Sequence, residues 1–338
     1  MSDFGSSAVD DVFRRAQIDQ EWSLRREGGF EWWGHHLCQA VWSEGPTMSQ
    51  GMEVTELRAE TTILRDLNLG QRTTALVAEL NKHATLSSFI VDEERAELRY
   101  QTRLYTHFAV HTLAKELFLH ASVLQVAEAH RRMDSLSEYF ESPIAVSNHP
   151  DMQIRDEPDG MLAVIDDVYA PQGTRESRWP DEEFSAVAEM DPSPAVKLTK
   201  CQHGLTAEVG CPTVSSDGES EQSMALLTVD TSAQHFDLGN GCLLRLRLPM
   251  HVYEEYGPSL CAELNRAELT EWTGAHLAGA WSWDFSDGLV FCTFLPNGAY
   301  VPGTVSLLLW ASAGRAAWVS KNYDRLLAAA AVHSREQW

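Results

Sequence analysis

The chain carries the tetrapeptide Ala-Glu-Leu-Asn twice, at residues 78–81 and 262–265, and each copy sits at the same point in the same order of segments. Around the first copy Leu76, Val77 and Leu80 recur at helical spacing, and around the second Leu260, Cys261 and Leu264 repeat the pattern. A strand precedes each helix: in 55–63, Leu57, Ala59 and Ile63 alternate with polar neighbours, and in 244–248, Leu244, Leu246 and Leu248 alternate with Arg245 and Arg247. A hairpin follows each. The first turns through 92–94 into a strand in which Ala96, Leu98, Tyr100 and Leu104 share a face; the second turns through Ser286-Asp287-Gly288 between apolar runs. Each half then closes with a helix, one striped by Val110, Leu113, Ala114, Leu117, Ala121 and Leu124, the other an Ala-rich run over 305–327 behind Pro302-Gly303-Thr304. Such a sequence folds as two like modules.

Upstream the correspondence continues. Asp10-Asp11-Val12-Phe13 opens a helix before the strand segments 30–33 and 36–42, and Pro180-Asp181-Glu182-Glu183-Phe184 opens one before 196–201 and 205–209. Both halves place Pro-Thr in a polar loop, Pro46-Thr47 and Pro212-Thr213, the second in an acidic, Ser-rich stretch that reads as a mobile hairpin tip. The second half adds a β pair, 226–229 and 235–238. The fold class is α+β: two similar modules of order α-β-β-(β)-α-β-β-α, each an antiparallel sheet with packed helices. The expected bounds are 1–142 and 179–338, joined by a Pro-rich connection, 143–178, in which 163–165 reads as an edge strand. In a duplicated chain the modules are expected to pack on each other as an intramolecular pseudo-dimer, through the helices around Leu80 and Leu264 or the adjoining strands.

With 338 residues and 49 acidic against 26 basic side chains, the chain carries a net charge of −23. That field repels phosphate backbones and anionic headgroups, so nucleic acid and membrane surfaces are not expected partners. The longest apolar candidate, 305–313, is half of a bilayer span and contains two serines. No secretory leader is recognised, and the six cysteines are sparse and irregular, which places the chain in a reducing cytoplasm.

Candidate chemistry is thin. His107 and His111 have the i, i+4 spacing of a helical metal pair, but Phe108 stands where a zincin carries Glu. Cys201, His203 and Cys211 lie in a predicted hairpin that brings the two thiols within reach, and His35-His36 precede Cys38, but none is a complete ligand set. No cofactor, metal or catalytic residue is expected: there is no nucleophile elbow, Walker loop or dinucleotide fingerprint. The residues nominated for partner binding are Trp32, Trp33, Arg99, Arg103, Arg245 and Arg247. Adjacent strand residues face opposite ways, which puts one of Trp32 and Trp33 outside. Arg99 with Arg103, and Arg245 with Arg247, share strand faces that either grip acidic partner groups or form a solvated surface. Trp281, Trp283 and Phe285 share a face expected to be core.

This doubled order of elements in an acidic chain resembles the type III secretion chaperone-like fold, which includes the YbjN-like bacterial proteins. The resemblance covers most of both halves and is topological. It implies an acidic cytoplasmic protein without cofactor or active site that holds an extended segment of another polypeptide. A non-enzymatic interaction module, chaperone-like or regulatory, is therefore the expected function; a structural subunit of a larger complex is the alternative, and an enzyme the third.

Overall fold

The computed structural model describes residues 4–49, 52–169, 177–189, 196–214, 220–250, 252–270 and 278–336. The chain forms two compact units, Met1–Leu69 with Leu86–Pro171, and Gly70–Thr85 with Gln172–Trp338. Among the described residues no helix is long and apolar enough to cross a membrane.

The first unit holds α1 (Phe4–Arg15), β1 (Ser23–Arg26), β2 (Gly29–Trp33), β3 (Cys38–Ser49) and β4 (Met52–Leu64). After α2 (Gln71–Leu80), which belongs to the second unit, it continues with β5 (Ser88–Asp92), β6 (Glu97–Thr106), α3 (His111–Phe140) and α4 (Gly160–Tyr169). The second unit holds α5 (Asp181–Glu189), β7 (Val196–Cys201), β8 (Gly204–Val214), β9 (Ser220–Asp230), β10 (Gln234–His235) and β11 (Gly239–Arg247), then α6 (Gly257–Thr270), β12 (Ala280–Asp284), β13 (Gly288–Pro296) and α7 (Thr304–Glu336).

Both sheets are antiparallel and share one strand order. The first runs β1-β2-β3-β4-β6-β5 and the second β7-β8-β9-β11-β13-β12, with the short β10 pairing on β11. In each, four strands meander, a helix follows the fourth, and the chain returns at the far edge before the sixth strand slots in beside the fourth. The two Ala-Glu-Leu-Asn helices, α2 and α6, fill the same slot of this topology, as the repeat requires.

Several expectations are corrected. The first half is not short of strands before its tetrapeptide helix, since β1 completes four; of the expected extra pair, 226–229 lies inside β9 of the shared order, and 235–238 contributes only His235 to β10, which has no counterpart among the described residues of the first sheet. Pro46 stands on the third strand of its sheet and Pro212 on the second, so the two Pro-Thr pairs are not equivalent. The tip beyond Val214 lies outside the described residues. Residues 163–165 are helical within α4, because Leu162, Ile165 and Tyr169 make a 3.6-period buried stripe. Residues 143–169 pack in the first unit, whereas 70–85 leave it for the second.

In the first unit the inner sheet face, with Leu57, Ala59, Ile63, Tyr100 and Leu104, meets Leu117, Phe118, Ala121 and Leu124 of α3. A polar seam runs through this contact: Gln125 donates to the Tyr100 carbonyl at 2.7 Å and accepts from Gln39 at 2.6 Å, while the Tyr100 hydroxyl donates to Glu128 at 2.7 Å. Buried polar groups are tolerated when bonded, so these contacts fix where α3 lies on the sheet. The helix ends at Glu141, in a left-handed conformation (φ 53°) that lets Ser142 N–H reach the Ser137 carbonyl.

The second unit is built around Trp281. Its N–H donates to the Asn265 side chain at 2.8 Å and its carbonyl accepts from Asn265 at 3.0 Å, so the last residue of the second tetrapeptide clamps β12. Gly70–Thr85 completes the unit. α2 packs on α6, and the carbonyls of Asn81 to Thr85 are taken in turn: Asn81 and Lys82 by the Cys292 thiol (3.3 and 3.5 Å), His83 by the His235 ring (3.2 Å), Ala84 by Phe294 N–H (2.9 Å) and Thr85 by the Thr293 hydroxyl (2.6 Å). The segment thus continues the β13 edge beyond the point where β12 stops pairing with it.

Candidate functional site

The nominated residues separate into three groups. Trp32 and Trp33 are both buried, at 1% and 3% exposure. They do face opposite ways, but the outward one, Trp33, lies under the segment after α3: its indole N–H donates to Ser147 at 3.1 Å and its ring meets His149 edge-on at 4.7 Å. Neither offers a surface anchor.

Arg99 and Arg103 lie on the outer face of the first sheet and are tied within it. Arg99 contacts Glu60, Asp92 and Glu97 at 3.2, 2.7 and 2.8 Å, and Arg103 holds both oxygens of Glu56 at 2.6 and 2.7 Å. Arg58 also contacts Glu56. Three guanidinium groups therefore meet four carboxylates. Burial tends to raise the Glu60 carboxyl above its usual range, and it does so on balance even against Arg99 and Arg58.

Arg245 and Arg247 are in a different position. Both leave β11 on the outer face of the second sheet and stay 40% and 53% exposed. Strand register builds two rows across that face: Lys197, Glu208, Leu226, Arg247 and Val290 form one, and Thr199, Thr206, Thr228, Arg245 and Cys292 the other. Lys197 and Glu208 neutralise each other at 3.5 Å. The two arginines share Asp287, whose Oδ2 is 2.9 Å from Arg245 and whose Oδ1 is 3.4 Å from Arg247. Among the described residues two cations thus meet one carboxylate.

Asp287 is placed by the turn it belongs to. Asp284 accepts from the Ser286 hydroxyl, from Ser286 N–H at 2.8 Å and from Asp287 N–H at 3.2 Å, contacts that hold its carboxyl below the usual range. Gly288 follows at φ 73°, a left-handed position that a side chain would strain. The hairpin was legible as Ser286-Asp287-Gly288; that its aspartate would reach the arginines two strands from β12 was not.

Around these groups Leu226, Thr228, Arg245, Arg247, Asp287 and Val290 line a depression of about 110 Å³. Leu226 and Met224 are 38% and 40% exposed on the same face. Phe285, expected in the core, is 79% exposed because β12 ends at Asp284 and the ring falls in the turn, whereas Trp281 and Trp283 are buried as expected. A second depression, of about 440 Å³ between α1, Arg25 and Lys115, has its charges tied in pairs but, among the described residues, no exposed apolar strand residues beside them: Arg25 pairs with Asp10, Asp11 with Arg14, Arg15 and Lys115, and Arg15 also with Glu116.

The weighed metal-ligand sets do not assemble. His111 stacks on Phe4 at 3.7 Å. Cys201 pairs with Gly204 on the outer face while Cys211, seven residues further along β8, points inward to the Ala316 carbonyl. Among the described residues no group of three or more His, Cys, Asp or Glu side chains is arranged to hold a metal ion. Compared with protein-family models, curated proteins and solved structures, the chain matches none of them.

Proposed function

We propose that this chain is a non-enzymatic interaction module that binds another polypeptide, the role that the likeness to the type III secretion chaperone-like fold implies, and that it does so on the outer face of its second sheet. The observation that carries the reading is the contrast between two equivalent faces. In the first module the arginines are matched by carboxylates of the same sheet. In the second, Arg245 and Arg247 stand half-exposed beside Leu226 and Met224 with one carboxylate between them. A face combining two half-exposed guanidinium groups that share one carboxylate with exposed apolar side chains suits a protein partner, since arginine and apolar anchors dominate interface energetics. A depression of about 110 Å³ is well under the roughly 300–1,000 Å³ of small-molecule sites, so it takes a side chain rather than a metabolite.

The test is selection of random linear peptides by the immobilised full chain, alongside the Arg245→Glu/Arg247→Glu variant. Reproducible enrichment by the native protein, lost in a variant with unchanged circular dichroism, supports the reading. No enrichment over bare support removes it.

A further inference from the structure

Resting on that reading, we propose that the face around Arg245 and Arg247 takes an extended acidic segment with the pattern acidic-x-acidic-x-apolar, and that Asp287 is a built-in competitor which this segment displaces. The spacing comes from β11. Residues two apart on a strand present side chains on one face at about 6.6–6.8 Å, and an extended partner repeats that spacing between alternate side chains, so two of its carboxylates fall one on each guanidinium.

Charge complementarity identifies the occupant. In a chain of net charge −23, Arg245 and Arg247 form a local excess of positive charge among the described residues, because Asp287 divides its two oxygens between them. Neither arginine therefore has the two-pronged carboxylate that its fork-shaped guanidinium prefers and that Arg315 obtains from Glu268. A partner with two carboxylates supplies each arginine with its own. The apolar position follows from register: Arg245 lies opposite Thr228 and Arg247 opposite Leu226, so a partner running along β11 passes Arg245, then Arg247 with Leu226, then Met224. Its fifth residue rests on the exposed Met224 and Leu226 side chains.

The experiment is fluorescence anisotropy on the intact chain with the labelled peptide Gly-Ser-Glu-Thr-Glu-Thr-Leu-Ser-Gly. Three controls accompany it: a permutation with adjacent glutamates, a version with lysines for glutamates, and a helical peptide carrying glutamates at i and i+4. The alternating peptide should bind, and the permuted one about tenfold more weakly, as the loss of one charge-assisted contact predicts. Arg245→Gln and Arg247→Gln should each weaken binding about tenfold, and raised salt should weaken it further. Asp287→Asn should tighten binding several-fold, a gain that misfolding does not produce. Equal affinity for the permuted peptide, tighter binding of the helical one, or an Asp287→Asn variant that binds no better would overturn the proposal. If peptides are selected in the preceding experiment yet Arg245→Gln leaves their binding intact, only the acidic assignment falls; if none is selected, the interaction reading falls with it.

Discussion

Glu268 and Arg315 form a fully buried pair in the second unit, the guanidinium bonding both carboxylate oxygens at 2.7 and 2.9 Å and lying 3.5 Å over the Phe291 ring. The Trp281 indole N–H donates to the same carboxylate at 2.6 Å. Desolvating two charges offsets much of their attraction, so such a pair adds little net stability while intact, but loss of one partner strands the other. Arg315→Met should therefore cost about 3–5 kcal/mol in urea unfolding followed by tryptophan fluorescence, and the double variant Glu268→Leu/Arg315→Met should recover part of it. A double variant no more stable than the single would show that the buried glutamate is not the source of the loss. At this scale the sequence was partly legible. An arginine inside the run Ala-Ser-Ala-Gly-Arg-Ala-Ala is conspicuous, but its partner lies 47 residues away and no local pattern names it. Likewise Trp32-Trp33 showed that the two rings face opposite ways, but not which faces out, and what covers Trp33 comes from residues more than 110 positions downstream.

Among the elements, those with their own periodicity were readable and those defined by their neighbours were not. The strand alternation around Leu57 and Leu246 and the stripe of α3 require only local sequence. β1, Ser23-Leu24-Arg25-Arg26, has no alternation of apolar residues and is a strand only because β2 pairs with it. α3 also carries two buried histidines whose titration should weaken the first unit in acid. Burial pushes His120 down to about 4, with Glu116 favouring and Arg15 opposing its charge and the Tyr169 hydroxyl bonded to its Nδ1. Burial does the same to His130, which bonds the Val126 carbonyl and faces His35 and His36. Both folded values lie below the ordinary 6.5, so the unfolded chain binds more protons between pH 6.5 and 4. Their stabilisation is complete above 6.5 and declines as the pH falls through that window, by up to about 3 kcal/mol for each histidine. Thermal unfolding monitored by circular dichroism should show a midpoint falling from pH 7 to pH 4.5, and the decline should be shallower in a His120→Gln/His130→Gln variant. An equally steep decline in that variant would assign the acid limit to carboxylates instead.

For the whole molecule, the sequence showed that the chain is two copies of one module but not that the first half gives a segment to the second unit. Compactness assigns Gly70–Thr85 to the second unit although its helix occupies a topological slot of the first half. Nothing local could reveal this, since α2 looks the same whichever unit it packs in. It has ten residues, no side-chain N-cap and no charges arranged for its dipole, so in isolation it would be marginal and its helicity comes from packing on α6. The consequence is that the second half alone, 172–338, lacks part of its own unit: Cys292, Thr293 and Phe294 lose the carbonyls they bond, and α6, which carries the buried Cys261, loses the helix packed on it. Fragments 1–171 and 172–338, produced together from separate reading frames, should therefore copurify, and the thiols of Cys261 and Cys292 should resist modification in the complex. Replacing 71–85 of the first fragment by a Gly/Ser linker should abolish copurification, leaving 172–338 to aggregate or to expose both thiols. A linker variant that still pairs, with both thiols protected, would mean that 70–85 is not what completes the second unit.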